Sequence, residues 1–179
     1  VKAPKTPSPW SAGTRCKLFA WDVCWALFCR WTPKPMNRWR LLWLRVFGAR
    51  IEGRPFVHQR ARIQIPWHLA LLDGACVGDR ANLYSLGQIV LEEGCIVAQE
   101  AYLCTGDHDL AAPGKPLVTK AIRVGREAFV GARAFVLPSV EIAEDAVVGA
   151  GSLVTRSLKP GERVAGNPAR LISGGENCD

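Results

Sequence analysis

Between Val124 and Leu158 the chain reads VGREAFVGARAFVLPSVEIAEDAVVGAGSLVTRSL, and every sixth residue is a branched aliphatic: Val124, Val130, Val136, Ile142, Val148 and Val154. Four residues after each comes a mostly small one: Ala128, Ala134, Val140, Ala146, Ser152 and Leu158. Glycine directly follows three of the aliphatics, at Gly125, Gly131 and Gly149, and the one proline is Pro138. A helix face recurs at about 3.6 residues and a half-buried strand face at 2, so neither produces a period of six. A strict six is the mark of a short-repeat solenoid. Each hexapeptide is one flat face of a coil. Its aliphatic points inward, its small residue lets the chain turn, and the aliphatics of successive coils stack into one column. Coincidentally spaced strands of a β-sandwich would not hold the period through six consecutive units.

The same period runs upstream. Ile51, Val57 and Ile63 begin it, around Pro55 and Pro66, and Leu71, Val77, Leu83 and Ile89 continue it. The register then slips by two and resumes at Leu91, Val97 and Leu103, with Ala75, Ala81, Gly87, Cys95 and Ala101 at the small positions. Residues 104–121, CTGDHDLAAPGKPLVTKA, have no such period. They are expected to leave the solenoid as a protruding loop, and long ordered loops usually carry function. Three hexapeptides close one triangular coil, so the repeats predict about five coils stacked at about 4.8 Å. The expected fold class is all-β, a parallel β-helix over 49–172. A helical appendage over 1–48 precedes it and a flexible tail over 173–179 follows.

The appendage differs in composition. Residues 1–54 hold eleven Lys and Arg against two acids, a net of +9, while the remainder is −2. Six of the seven tryptophans also lie there. Residues 1–13, punctuated by Pro4, Pro7, Pro9 and Gly13, read as disordered. A helix is expected from about Thr14 to Cys29, broken by Thr32-Pro33-Lys34-Pro35, and a second from Pro35 to Phe47 with Gly48 as its stop. On the second helix Met36, Trp39, Leu42, Trp43, Val46 and Phe47 form one apolar stripe opposite Arg38 and Arg45, blurred by Leu41 and Leu44. Two compatible roles fit: a cap over the solenoid's open edge, and a peripheral membrane contact through residues 1–47. No nucleic-acid-binding motif accompanies the charge, so no nucleic acid partner is expected. Neither a membrane-spanning run nor a signal-peptide pattern is present. The seven cysteines lack zinc spacing and read as free thiols in a reducing compartment. The expected location is cytoplasmic, with peripheral contact at the inner membrane face.

Chemistry has few carriers. The histidines are His58, His68 and His108, and only His108 lies in the loop, between Asp107 and Asp109. A neutral imidazole takes a proton from a hydroxyl near neutral pH, and a neighbouring carboxylate can orient it. His58 and His68 read as structural or surface residues. A serine-nucleophile elbow, a P-loop and a dinucleotide fingerprint are all absent. No metal is expected, because the three-histidine zinc site known on some solenoids needs a closely spaced His pair.

The hexapeptide run, the YLCTGDHDL segment (102–110) and the closing GAGSLVT (149–155) and VAGNPARLI (164–172) resemble the hexapeptide-repeat acyltransferases. The likeness is strongest to the sugar O-acetyltransferases of colanic-acid and exopolysaccharide synthesis, with maltose and nodulation-factor acetyltransferases as cousins. The resemblance implies a left-handed β-helix, against the usual right-handed crossover rule. It also implies a homotrimer with active sites between subunits, and acetyl-CoA as co-substrate along the last coils. By it His108 is a general base that deprotonates a sugar hydroxyl for direct attack on the thioester, with Asp107 and Asp109 in support. Many relatives carry Ser where this chain has Asp107. Ala132 and Ala150 match contacts to the pantetheine arm, and Thr155, Arg156 and Arg170 match contacts to the CoA phosphates. Tyr84 and Ser85 are candidates for touching the acceptor. Two alternatives stay open: N-acetyl transfer to an amino sugar or other amine, and a scaffold without activity.

Overall fold

The computed structural model describes residues 10–172. The expected disorder of residues 1–9 and the flexible tail over 173–179 lie outside the described residues. Nineteen short strands span the described residues, and sixteen of them form the solenoid's parallel walls. The first coil is β1 (Arg50–Ile51), β2 (Phe56–Val57) and β3 (Arg62–Ile63); the second is β4 (Leu69–Leu71), β5 (Cys76–Val77) and β6 (Asn82–Tyr84). The third is β7 (Ile89–Leu91), β8 (Ile96–Val97) and β9 (Tyr102–Cys104). A hairpin of β10 (Gly106–His108) and β11 (Leu117–Thr119) interrupts, and the fourth coil follows: β12 (Ile122–Val124), β13 (Phe129–Val130) and β14 (Phe135–Val136). The fifth is β15 (Glu141–Ile142), β16 (Val147–Val148) and β17 (Leu153–Val154), and β18 (Arg163–Ala165) with β19 (Arg170–Leu171) closes the end.

Three parallel walls result, with strand orders β1-β4-β7-β12-β15, β2-β5-β8-β13-β16-β18 and β3-β6-β9-β14-β17. The register stacks the period-six aliphatics on one another. Ile51, Leu71, Leu91, Val124 and Ile142 align in the first wall, and Val57, Val77, Val97, Val130, Val148 and Val164 in the second. The slip seen in the sequence is two added residues at the corner from third to first wall, which makes each of the first coils 20 residues long against 18 later. The added length makes both ends of β4, β7 and β12 point inward: Leu69 with Leu71, Ile89 with Leu91, Ile122 with Val124, all buried. The glycines after the aliphatics answer to coil spacing. A Cβ on Gly131 would sit 2.6 Å from the Ala150 nitrogen and the Val148 oxygen of the next coil.

The appendage folds as α1 (Ala12–Cys24), a π-helical continuation over Trp25–Cys29, a 3-10 turn over Lys34–Met36 and α2 (Asn37–Val46). Ser11 caps α1 by accepting from the Thr14 amide at 3.1 Å. The π turn is a wider winding and the 3-10 turn a tighter one, and the sequence pattern showed neither. The helices lie over the first coil. The Trp21 indole donates to Ile63 O at 2.8 Å, Arg40 Nε donates to Val57 O at 2.8 Å, and the Asn37 amide bridges Pro55 O and the Val57 amide. These contacts cover the edge that β2 and β3 would otherwise present to solvent.

The face that does this differs from the expected stripe. Arg40, Leu41 and Leu44 are buried, while Met36, Trp39, Leu42 and Val46 point outward. The six described cysteines are unpaired, and burial pushes the Cys29 and Cys95 thiols up to about 12.

Candidate active site

Residues 105–121 leave the solenoid at the corner from third to first wall, and the exit is pinned. Thr105, fully buried, donates its hydroxyl to Tyr84 O at 2.6 Å and accepts from the Gly87 amide at 2.8 Å. The Lys120 amide returns to Thr105 O at 2.9 Å. Between these anchors β10 and β11 pair antiparallel, with His108 opposite Leu117. The turn is built from Ala112-Pro113-Gly114-Lys115, closed by the Lys115 amide on Ala112 O at 3.1 Å, with Gly114 at φ 79°. Proline and glycine suit those positions because one presets φ and the other tolerates its positive value.

His108 is exposed on this hairpin. Its Nδ1 lies 2.8 Å from the carbonyl of Lys115. A carbonyl can only accept, so Nδ1 donates to it, and in the neutral ring Nε2 keeps its lone pair. The carboxylates expected to support the ring are occupied elsewhere. Asp107 accepts from the His108 amide at 2.7 Å, and Asp109 accepts from the amides of Ala111 and Ala112 at 3.0 and 3.3 Å. Both hold the backbone of the hairpin, and the orienting group for the imidazole is a backbone oxygen. Residue-type patterns could not reveal Lys115 O, since every residue has a carbonyl; the APGKP turn at 112–116 was the available sign.

The two acceptor candidates part company. The Tyr84 ring lies at the hairpin's root, where its Cε1 would be 3.3 Å from a Cβ on Gly106, and next to Tyr102 at 6.0 Å between centroids. Tyr102 stacks on Phe135 at 4.7 Å, so an aromatic ladder runs along the outer face of the third wall. Ser85 is fully buried, and its hydroxyl bridges the carbonyl and amide of Ile65 at 2.9 Å each. Ser85 therefore joins two coils and does not reach an acceptor. His58 and His68 are structural: His58 is buried beside Asp79 at 3.1 Å, and His68 Nδ1 donates to Ser85 O at 3.0 Å.

Ala132 and Ala150 fall on a different corner, from second to third wall. With Gln99, Glu100, Arg133 and Gly151 they line a cleft of about 460 Å³. Their one-carbon side chains leave the main chain accessible, and Gly151 (φ 68°) has nothing within 4 Å of its missing Cβ. Such an edge suits an amide-bearing chain such as a pantetheine arm. Thr155 and Arg156 are exposed at the hairpin's own corner, two coils further on. Arg156 is paired with Glu162, which the guanidinium and the Lys159 amide hold down at about 2. Arg170, exposed in β19, makes only a 3.4 Å contact to Ala169 O and is the freer of the two arginines for a phosphate. Within one chain the proposed base and the proposed cleft thus lie on separate edges of the prism. Among the described residues no group of three His, Cys, Asp or Glu converges as a metal site.

No protein-family model matches the chain. Among relatives, it is 37% identical over 166 residues to WcaF of Escherichia coli K12, named as a colanic acid biosynthesis acetyltransferase, covering 93% of this chain and 91% of that one. Among solved structures, it superposes with a TM-score of 0.82 on a hexapeptide-repeat acetyltransferase of Vibrio cholerae in complex with acetyl coenzyme A, at 16% identity, covering 93% and 91% of the two chains. It superposes with a TM-score of 0.79 on a galactoside acetyltransferase in complex with coenzyme A, at 17% identity, covering 93% and 84%. The stacked period-six coils, the hairpin that interrupts them and the near full-length identity to WcaF together place the chain in the hexapeptide-repeat acetyltransferases, as an acyltransferase on a left-handed parallel β-helix.

Proposed function

We propose that the protein transfers an acetyl group from acetyl-CoA directly to a hydroxyl of a sugar in an exopolysaccharide or its precursor, with His108 as general base. The observation that carries this reading is the bond from His108 Nδ1 to Lys115 O, which in the neutral ring leaves Nε2 as the free acceptor on an exposed, pinned hairpin. Acetyl-CoA supplies an activated thioester. Nε2 accepts the proton of the attacking hydroxyl as the new C–O bond forms, and the imidazolium returns it to the departing thiolate, so the ring ends as it began. The cleft at Ala132 and Ala150 receives the pantetheine arm, and Arg170, with Arg156 if Glu162 yields, meets the phosphates. A sugar acceptor follows from the likeness to WcaF, and the ladder of Tyr84, Tyr102 and Phe135 gives a pyranose ring a flat surface beside the base. A CoA thioester donor supports the reading of a cytoplasmic reaction.

Direct transfer needs base and donor in one cleft, yet a single chain carries them on two corners. A threefold assembly brings the hairpin of one chain against the Ala132–Ala150 edge of the next, and we take the homotrimer as the active unit. The test is thiol release from acetyl-CoA against a panel of sugars, nucleotide sugars and amines, with mass by light scattering and product NMR. Turnover to a sugar ester that falls roughly 10²–10⁴-fold in His108→Ala supports the reading. An amide product, or full activity in His108→Ala, refutes it.

A further inference from the structure

The apolar stripe of the second helix fitted either a cap or a membrane contact, and most of it faces outward, with Trp43 and Phe47 packed against the core. On α1, its π-helical continuation and the turn that follows, every fourth residue from Phe19 is exposed and apolar: Phe19 (72%), Val23, Leu27 (57%) and Trp31 (74%). On α2 the outward set is Met36, Trp39, Leu42 and Val46 (64%). The two sets are joined by direct contacts. Phe28 stacks on Trp43 at 5.4 Å, Trp39 packs edge-on to Trp43 at 5.7 Å, and the Trp39 indole donates to Phe28 O. Trp31 likewise donates its indole N–H to Leu27 O. With both donors consumed internally, these two rings offer only carbon to whatever they meet.

The charge around this face is one-sided. Arg15, Arg30, Arg38 and Arg45 are exposed, and none takes part in an ion pair among the described residues, all of whose cations in such pairs lie from Arg50 onward, while Lys17 sits over the Trp67 ring of the solenoid at 4.1 Å. The net charge over residues 1–54 is +9, beside a remainder that is −2. An exposed, aromatic-rich apolar face rimmed by unpaired arginines has the chemistry of an interfacial element. The contacts that hold the helices to the first coil use the opposite face, so docking requires no rearrangement of the cap. No described helix is long and apolar enough to cross a bilayer.

We propose that the outer face of α1 and α2 docks in the plane of an anionic lipid surface, with Phe19, Leu27 and Trp31 entering the headgroup boundary and Arg38 and Arg45 facing lipid phosphates. This rests on the helices alone and is independent of the acetyl-transfer reading. The test uses the full chain in co-sedimentation with vesicles of phosphatidylcholine alone and of phosphatidylcholine mixed with phosphatidylglycerol. Wild-type protein is expected on the mixed vesicles, released by salt, and absent from the neutral ones. The triple variant Phe19→Ser, Leu27→Ser, Trp31→Ser is expected to stay soluble, and Arg38→Gln with Arg45→Gln to weaken binding by on the order of tenfold or more, since each cation near such a surface counts separately. Circular dichroism and light scattering of every variant confirm the fold and mass. Absence of binding to the anionic vesicles overturns the proposal, as does binding that survives the triple variant. A wild-type particle heavier than the triple variant, without lipid binding, would instead make the face an interface between copies.

Discussion

Replacing Arg40 with methionine should destabilise the protein by about 2–3 kcal/mol, and the estimate follows from where its guanidinium points. Arg40 is fully buried at the centre of the cap. Its Nε donates to Val57 O at 2.8 Å, Nη1 to the Thr32 hydroxyl and Pro33 O at 2.9 Å each, and Nη2 to Lys34 O at 3.0 Å. Burial pulls its pKa below the usual arginine value. Without the guanidinium, the carbonyls of Pro33 and Lys34 lie in an exposed turn and regain water. Val57 and Thr32 are buried, and each orphaned acceptor costs about 1–3 kcal/mol. Relief from burying a charge offsets part of this, as when buried ionic groups are replaced by apolar ones. The net loss lowers the midpoint of thermal unfolding by roughly 5–10 °C for a chain of this size. Arg40→Lys keeps the charge but not the fork, and should be no more stable than the methionine variant. Calorimetry and denaturant unfolding at fixed protein concentration measure this. A methionine variant as stable as the wild type would refute the view that this one side chain ties the helices to the first coil.

Gly131→Ala should cost about 2–3 kcal/mol, because its Cβ meets backbone of the next coil. Gly151→Ala has open space and only its φ of 68° to contend with, at about 1 kcal/mol, so equal unfolding midpoints would contradict the reading of the coil contacts. Burial holds the His58 pKa below 6.5 despite the pull of Asp79. The unfolded chain then binds more protons between that depressed value and 6.5, so stability is whole above 6.5 and falls as pH drops through the window. His58→Gln should flatten that slope in unfolding measured against pH, and an unchanged slope would move the effect elsewhere. Asp107→Ser should leave kcat within about tenfold, since Asp107 holds a backbone amide; a loss on the scale of a general base, about 10²–10⁴-fold, would show that its carboxylate acts on the imidazole.

The solenoid was legible because its determinant is local. A branched aliphatic every six residues has one way to bury its whole set, and Val124 to Val154 state it without reference to any distant residue. The hairpin was visible as a gap in that period, and His108 as the lone histidine within it. What only the tertiary structure decided is what depends on residues distant in sequence. Leu41 and Leu44, which blurred the stripe, pack on the solenoid, while Trp39 and Val46 face out, because Arg40 finds the Val57 carbonyl of the first coil, 17 residues on, and fixes the rotation of α2. Ser85 is spent on Ile65, 20 residues back, as coil stacking alone dictates. The imidazole is set by a carbonyl across the hairpin, a group every residue owns and no sequence pattern can mark. Periodicity determines which side chains go inward; the pairing of one coil or turn with the next determines which polar groups remain free to act.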